Sequence, residues 1–422
     1  MRKAPQIKEI FSYPVTAGTA LLAIGITVAW WLKVDITPVV ENALIRQGEL
    51  WRLVTYIFPH IDILHLAFNI YWVWFFGTAV EGVYGHLKTA ALIVLFAFGS
   101  GAMEYAFADG GVGLSGVGYA FFGLIWILSL HDERFRDAID RKTVQIFIIW
   151  FFFCIFTTII KFMAVANIAH GAGAVLGIAV GFAIIQPTRR FIHVTGIAII
   201  LIFGLWAATF GRSLVNLSDN AGMDEARRGY DALVAHNYPD AVRWCRDAIA
   251  YRPQTSSYWY NLGIAYEGAG NKPQSTEAYR KAAELGDAKA QYFVGSLYEN
   301  GSENLPKDTA QAVYWFTKAV AQNDPEALND VAWIYVTSSD PAIHNPTLGL
   351  EYARRVIEIE KDHPNPSYLD TLAEACYANG LNEEAVKTEQ QAIALASPEL
   401  QIEFKKGLEK YQLALKNQRS KT

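Results

Sequence analysis

The sequence contains few cysteines, no cluster of basic residues and little charge in its first half. Three isolated cysteines in 422 residues, Cys154, Cys245 and Cys376, exclude a disulfide framework. A formal net charge of -5, without basic runs interleaved with aromatics, excludes nucleic acid as a partner. No group of residues has metal-ligand spacing, so we expect neither a metal nor another cofactor.

Apolar and polar residues are segregated along the chain, which predicts at least two domains. A membrane-spanning helix needs about 20 apolar residues. The predicted spans are 14–32, 63–83, 88–107, 114–130, 143–166, 168–186 and 191–211. So many apolar runs would leave a soluble protein too little polar surface, and the first is too long for a signal peptide.

The loop charges predict an orientation. With the N-terminus in the cytoplasm, the inner segments hold ten Lys and Arg residues and the outer segments five. Seven spans then place the C-terminal half outside the cytoplasm. We expect a multi-pass protein of a bacterial inner or plasma membrane, in contact with the lipid bilayer.

Four polar residues stand near the starts of even-numbered spans, namely His65, Asn69, Ser115 and His170. These spans all run from outside to inside, so the four residues lie at one depth. Polar groups within spans are costly and usually functional. The arrangement predicts a hydrolytic site that water reaches from the outer side.

Glycines accompany the serine and the histidine. Gly173, Gly177 and Gly181 share a helical face with His170, and such stripes let a neighbouring helix approach closely. This packing would bring the Ser115 hydroxyl within hydrogen-bond reach of His170. The alternative is that these small residues serve helix packing alone.

The polar residues belong to motifs that occur in a fixed order. They are Trp51-Arg52, His65-x3-Asn69, Gly113-Leu114-Ser115-Gly116 and Ala169-His170-x2-Gly173-x3-Gly177. In this order the chain resembles the rhomboid family of intramembrane serine proteases over roughly residues 10–190. His60 and Glu81 also stand where bacterial members of that family have a histidine and a glutamate.

The resemblance implies a role for each matched position. Ser115 would be the nucleophile and His170 its general base, in a dyad without a third carboxylate. The implied oxyanion donors are His65, Asn69 and the backbone N–H of Ser115. Tyr119 would pack against the catalytic imidazole. The residues implied to stabilise the outer loop or water access are His60, Trp51 and Arg52.

The resemblance also implies the substrate, a membrane-spanning segment of another protein. Cleavage would require local unwinding, favoured by Gly or Pro in the substrate helix and a small residue before the cut. The alternative is a non-proteolytic scaffold or chaperone that acts through its soluble half. A transporter would have paired halves with broken helices, which this sequence lacks.

The soluble half repeats with a period of 32–41 residues. Trp259-x2-Leu262-Gly263-x2-Tyr266 fits the start of a tetratricopeptide unit, and the insertion Gly301–Lys307 with Tyr314-Trp315-Phe316 is similar to Sel1-like repeats. About five units and a capping helix from Leu400 to Lys416 predict an α-solenoid that binds substrates or protein adaptors.

The predicted fold is all-α, a polytopic membrane helix bundle with a rhomboid-like six-helix core and one extra transmembrane helix, followed by the α-solenoid. The predicted segments are the cytoplasmic tail 1–13, the rhomboid core 14–190, the seventh helix 191–211, the linker 212–222, the repeat domain 223–416 and the tail 417–422.

Overall fold

The computed structural model describes residues 5–301 and 306–420. Residues 1–4 and 421–422 of the two predicted tails, and 302–305 of the predicted insertion, lie outside the described residues. The described ranges are helical and contain no strand. The chain divides into two compact units, Met1–Asp224 and Glu225–Thr422. The all-α prediction is confirmed.

The first unit contains seven long helices. They are α1 (Pro14–Trp31), α2 (Ile63–Tyr84), α3 (His86–Phe107), α4 (Ser115–His131), α5 (Arg141–Ile159), α6 (Asn167–Ile185) and α7 (Arg190–Ala208). Six of them are long and apolar enough to cross a membrane, while α4 is shorter. The one-turn helix Arg52–Thr55 lies between α1 and α2, and the one-turn helix Arg212–Val215 follows α7.

Two helices end earlier than the sequence predicts. The fifth span was expected to continue to residue 166, but α5 ends at Ile159 because Lys161 adopts a left-handed backbone conformation with φ 57°. The seventh was expected to reach residue 211, but α7 ends at Ala208, before the non-helical Thr209. In both places the apolar composition continues beyond the helix, so composition alone does not mark its end.

Helix α4 lies at the centre of the unit, and most of its residues are buried. Its contact with α6 depends on glycine. An ideal Cβ added at Gly177 would lie 1.9 Å from the carbonyl oxygen of Ala120, and one at Gly173 would lie 2.2 Å from that of Gly116. Any larger residue would push the two helices apart. The glycine stripe of α6 therefore sets the distance between the starts of α4 and α6.

The outer helices expose apolar surface instead of burying it. On α5, Ile149 and Phe152 are more than half exposed, and on α7 so are Ile199 and Ile202. Exposed apolar surface of this extent is unfavourable in water and normal against lipid.

The second unit consists of helical hairpins. Its helices are α8 (Met223–Val234), α9 (Tyr238–Tyr251), α10 (Ser256–Gly268), α11 (Lys272–Glu284), α12 (Ala288–Asn300), α13 (Thr309–Val320), α14 (Pro325–Thr337), α15 (Pro346–Ile359), α16 (Pro366–Ala378), α17 (Asn382–Leu395) and α18 (Pro398–Arg419). Five successive pairs are followed by α18, as the predicted solenoid requires. Asn or Asp side chains cap many of these helices, as Asp324 does for α14.

Candidate active site

Ser115 and His170 face each other at the starts of two adjacent helices. Ser115 is the first residue of α4, and His170 lies in the first turn of α6. The Ser115 Oγ and the His170 Nε2 are 2.8 Å apart, a normal hydrogen-bond distance. The close glycine contacts between α4 and α6 make this distance possible. The structure thus brings together the two side chains that the sequence paired.

The His170 ring is buried and held by stacking. The rings of Tyr119 and His170 lie 4.6 Å apart and 25° from parallel. The Tyr119 hydroxyl donates a hydrogen bond to the carbonyl of Phe147, at 3.3 Å. Within the described residues, His170 Nδ1 has no hydrogen-bond partner. The aromatic ring therefore orients the imidazole where a triad would use a carboxylate.

His65 and Asn69 lie beside the segment that leads to Ser115. A Cβ at Gly113 would be 2.8 Å from the His65 ring and 3.2 Å from Asn69 Nδ2, so both side chains touch this glycine. Gly113 has φ 109°, a conformation that favours glycine. Asn69 Nδ2 is buried and has no acceptor among the described residues. An unpaired buried donor is costly and is available to a developing anion.

His60 fixes the backbone just before the serine. Its Nδ1 donates to the carbonyl of Phe58 at 2.9 Å, and its Nε2 accepts the N–H of Leu114 at 3.3 Å. Burial lowers the pKa of His60 to about 4, so the ring is neutral, as an acceptor must be. The His60 and His65 rings also touch edge to face, with centroids 4.9 Å apart.

Trp51 and Arg52 make hydrogen bonds within the loop between α1 and α2. Arg52 is buried and donates to the carbonyl of Val40 at 3.0 Å and to Glu49 Oε2 at 2.7 Å. Trp51 is half exposed, and its indole N–H donates to Pro38, 3.3 Å away. These contacts fit the loop-stabilising role that the resemblance implied.

Glu81 lies outside the site. Its carboxylate accepts the N–H groups of Val15 at 3.0 Å and Thr16 at 2.9 Å, at the start of α1. It stands three turns beyond Asn69 on α2, roughly 18 Å along the helix axis. Gly116, in contrast, contacts two helices near the dyad: its carbonyl oxygen faces Gly173 of α6, and a Cβ at Gly116 would be 2.7 Å from Ser100 Oγ on α3.

Two buried carboxylates near the dyad were missed by the sequence interpretation. Glu104 Oε2 accepts the N–H of Ala169 at 2.8 Å, and Glu41 Oε2 accepts the N–H of Gly111 at 2.9 Å. A glutamate within an apolar run is an available signal for Glu104. No cluster of three or more metal-ligating side chains occurs in the part of the chain that the structure describes.

Comparison with known proteins finds family models that match a segment of each unit. A family model described as Rhomboid domain matches residues 47–187, and one described as Sel1 repeat matches 258–287 and 288–324. The rhomboid protease GlpG of Salmonella paratyphi A is 33% identical over 157 residues, covering 37% of this chain and 54% of that protein. GlpG of Salmonella newport matches to the same extent.

The chain spans about half the length of these curated relatives. A solved Sel1 repeat protein from Oxalobacter formigenes is 20% identical, with a TM-score of 0.34, covering 42% of this chain and 74% of that one. At that TM-score the likeness defines no shared fold. The Sel1 matches cover α10 to α13. The chain is an integral membrane protein with a rhomboid domain at residues 47–187 of its first unit and Sel1 repeats at residues 258–324 of its second.

Proposed function

We propose that this protein is an intramembrane serine endopeptidase that uses Ser115 and His170 as a catalytic dyad. The observation that carries the proposal is the 2.8 Å distance between Ser115 Oγ and His170 Nε2, in a buried site with the imidazole stacked on Tyr119. A serine hydroxyl is scarcely ionised near neutral pH and needs such a base.

The reaction is acyl transfer in two steps. His170 Nε2 takes the hydroxyl proton while Ser115 Oγ attacks the scissile carbonyl, and the imidazolium then protonates the leaving amine. Water hydrolyses the resulting acyl-enzyme with the same base. The oxyanion forms beside Ser115, where Asn69 Nδ2, the His65 ring and the Ser115 N–H are the available donors. Each such donor stabilises the transition state by about 3–4 kcal/mol.

The substrate class follows from the location of the dyad. Ser115 and His170 lie at the starts of apolar helices, so the scissile bond must come from a segment that enters the membrane. A helix hides its carbonyls in hydrogen bonds, and a substrate with Gly or Pro near the cut unwinds more readily.

Contacts after α7 support the proposal that the seventh span ends on the side where the dyad opens. Arg212 donates to the carbonyl of Tyr105 at 2.8 Å, and Asn216 donates to that of Ala108 at 2.8 Å. Both carbonyls end α3, shortly before Ser115. These contacts support a chain that leaves the membrane at the level of the dyad, on the side that the loop charges predict to be extracytoplasmic. The repeats would bind exposed parts of substrates, or adaptors.

The test uses the purified full-length protein in liposomes with a reporter membrane helix. Wild-type protein should cleave the reporter, and Ser115→Ala protein with unchanged helicity should not. Equal cleavage by both proteins would disprove the dyad. No cleavage of any membrane substrate by wild-type protein would favour the non-proteolytic scaffold.

The orientation is tested separately by treating sealed cells with an external protease. The repeats should be digested without opening the membrane. Repeats that are cut only after the membrane is opened would contradict either the seventh span or the orientation.

A further inference from the structure

Glu104 supplies a helix cap from a neighbouring helix. It lies near the end of α3 and is 4% exposed. Its Oε2 accepts the N–H of Ala169 at 2.8 Å, and Ala169 directly precedes His170. The first N–H groups of a helix have no partner within the helix. The N-cap residue of α6, Ala166, provides no side-chain cap. A negatively charged carboxylate at this end also interacts favourably with the helix dipole.

The Glu104 side chain also lies beside the segment that leads to Ser115. A Cβ at Gly111 would lie 3.5 Å from Glu104 Cγ and 3.0 Å from Ala166 Cβ. The N–H of Gly111 is in turn held by Glu41, at 2.9 Å. Glu104 therefore stands between the approach to Ser115 and the first turn of α6. It is hydrogen-bonded to the first turn of α6 and lies beside the segment that precedes Ser115.

We propose that Glu104 is a positioning residue, which holds the first turn of α6 so that His170 Nε2 stays within hydrogen-bond distance of Ser115 Oγ. The inference rests on the proposed function and goes beyond it, because it assigns a role to a residue outside the motifs. Misplacing a catalytic group by about 1 Å costs about 100-fold in rate. The role requires a hydrogen-bond acceptor of glutamate length and does not require a charge.

Three substitutions separate these requirements. Glu104→Gln keeps a carbonyl oxygen at the same reach and removes the charge. Glu104→Asp keeps the charge and withdraws the acceptor by one methylene. Glu104→Ala removes both. Glu81→Ala is the matched control, because Glu81 is also a buried carboxylate that accepts backbone N–H groups at a helix start, but at α1.

The experiment measures the rate at which a fluorophosphonate labels Ser115 in the full-length protein, over a range of probe concentrations. Glu104→Ala should lower the maximal rate about 10- to 100-fold, with the half-saturating concentration unchanged. Glu104→Asp should also be slowed, whereas Glu104→Gln should stay within about twofold of wild type because its carbonyl restores the acceptor. Glu81→Ala should label at the wild-type rate per folded molecule.

The outcomes distinguish the inference from the proposed function. Wild-type protein that is not labelled at Ser115 would contradict the proposed function. Labelled wild type together with wild-type rates in folded Glu104→Ala and Glu104→Asp would overturn the positioning role alone. Labelling of Glu104→Gln as slow as that of Glu104→Asp would overturn the acceptor argument. Should Glu104→Ala fail to fold, the labelling rates of Glu104→Asp and Glu104→Gln still test the positioning role.

Discussion

The two units both use glycine at helix contacts, but the glycines face different groups. In the membrane unit, added Cβ atoms at Gly173 and Gly177 would strike backbone carbonyl oxygens of α4 at 2.2 and 1.9 Å. In the repeat unit, a Cβ at Gly263 would meet the Tyr279 ring at 2.6 Å, and one at Gly295 the Phe316 ring at 2.5 Å. The glycines of the membrane unit let two helix backbones pack closely, and those of the repeat unit make room for an aromatic ring.

The difference follows from the solvent of each unit. In lipid, burying apolar surface between helices gains little, so helices associate by close backbone approach. In water, an aromatic ring that packs against a glycine buries apolar surface, and each Å² of buried apolar surface stabilises the fold by about 25 cal/mol. The backbone contact in the membrane unit has a second consequence, because it brings the side chains at the helix starts together. The membrane unit therefore needs glycine for the geometry of its candidate site.

Buried acids differ between the units as well. Glu81 and Glu104 in the membrane unit accept backbone N–H groups. In the repeat unit, Glu389 is fully buried on α17, and neither of its carboxylate oxygens has a hydrogen-bond donor among the described residues. Burial and the nearby Asp370 raise the pKa of Glu389 to about 8. Glu81 and Glu104 are thus stabilised by backbone donors, whereas Glu389 keeps its proton to a higher pH than a free glutamate does.

The largest expected effect tests whether Ser115 and His170, which the glycine contact between α4 and α6 brings together, are the catalytic residues. Ser115→Ala and His170→Ala should each lower the cleavage of a reporter helix by about 10⁴-fold or more, since the two residues act as a unit. Turnover by purified, folded protein is the measurement. The double variant should be hardly worse than either single one. Additive losses would show that the two side chains act independently.

Asn69→Ala should give the next largest loss, about 10²- to 10³-fold in kcat, because one oxyanion donor is removed and others remain. Steady-state cleavage with varied reporter concentration in liposomes separates kcat from KM. A change confined to KM would assign Asn69 to substrate binding instead.

Glycine variants test the comparison directly. Gly177→Ala should destabilise the membrane unit by about 1–3 kcal/mol and reduce cleavage, because backbone cannot yield as a side chain can. Gly263→Ala should cost less, since the Tyr279 ring can shift. Gly118→Ala, with nothing within 4 Å of the added Cβ, is the matched control. Thermal unfolding of each variant is the measurement. Equal losses of stability for Gly177→Ala and Gly263→Ala would contradict the distinction between glycines that face backbone and glycines that face a ring.

The smallest effect concerns pH and the repeat unit. The unfolded chain releases the Glu389 proton near pH 4, at about the usual pKa of glutamate, but the folded unit keeps it until about pH 8. Stability should therefore fall as pH rises through this window. Hydrogen exchange in α16 and α17, corrected for intrinsic rates, should quicken from pH 5 to pH 8. Glu389→Gln should weaken that dependence and leave the part due to Asp370, whose pKa burial raises to about 6. An unchanged dependence would assign it to other groups.

The sequence predicts the architecture because hydropathy, loop length and repeat period are local properties. It also predicts that Ser115 meets His170, because motif order and helix direction place both at one depth. Other features depend on partners distant in the chain. Glu104 is 65 residues from the N–H that it accepts, and Glu81 is 66 residues from Val15. The end of α5 is set by the backbone conformation of Lys161, which hydropathy does not encode.

The most direct test of the account is to map the fluorophosphonate adduct on the full-length protein in membranes. Mass spectrometry should find the adduct on Ser115 in the wild-type protein and should find none in His170→Ala protein, because the hydroxyl is activated only by the imidazole 2.8 Å away. An adduct on another residue, no adduct on wild-type protein, or equal labelling without His170 would contradict the dyad.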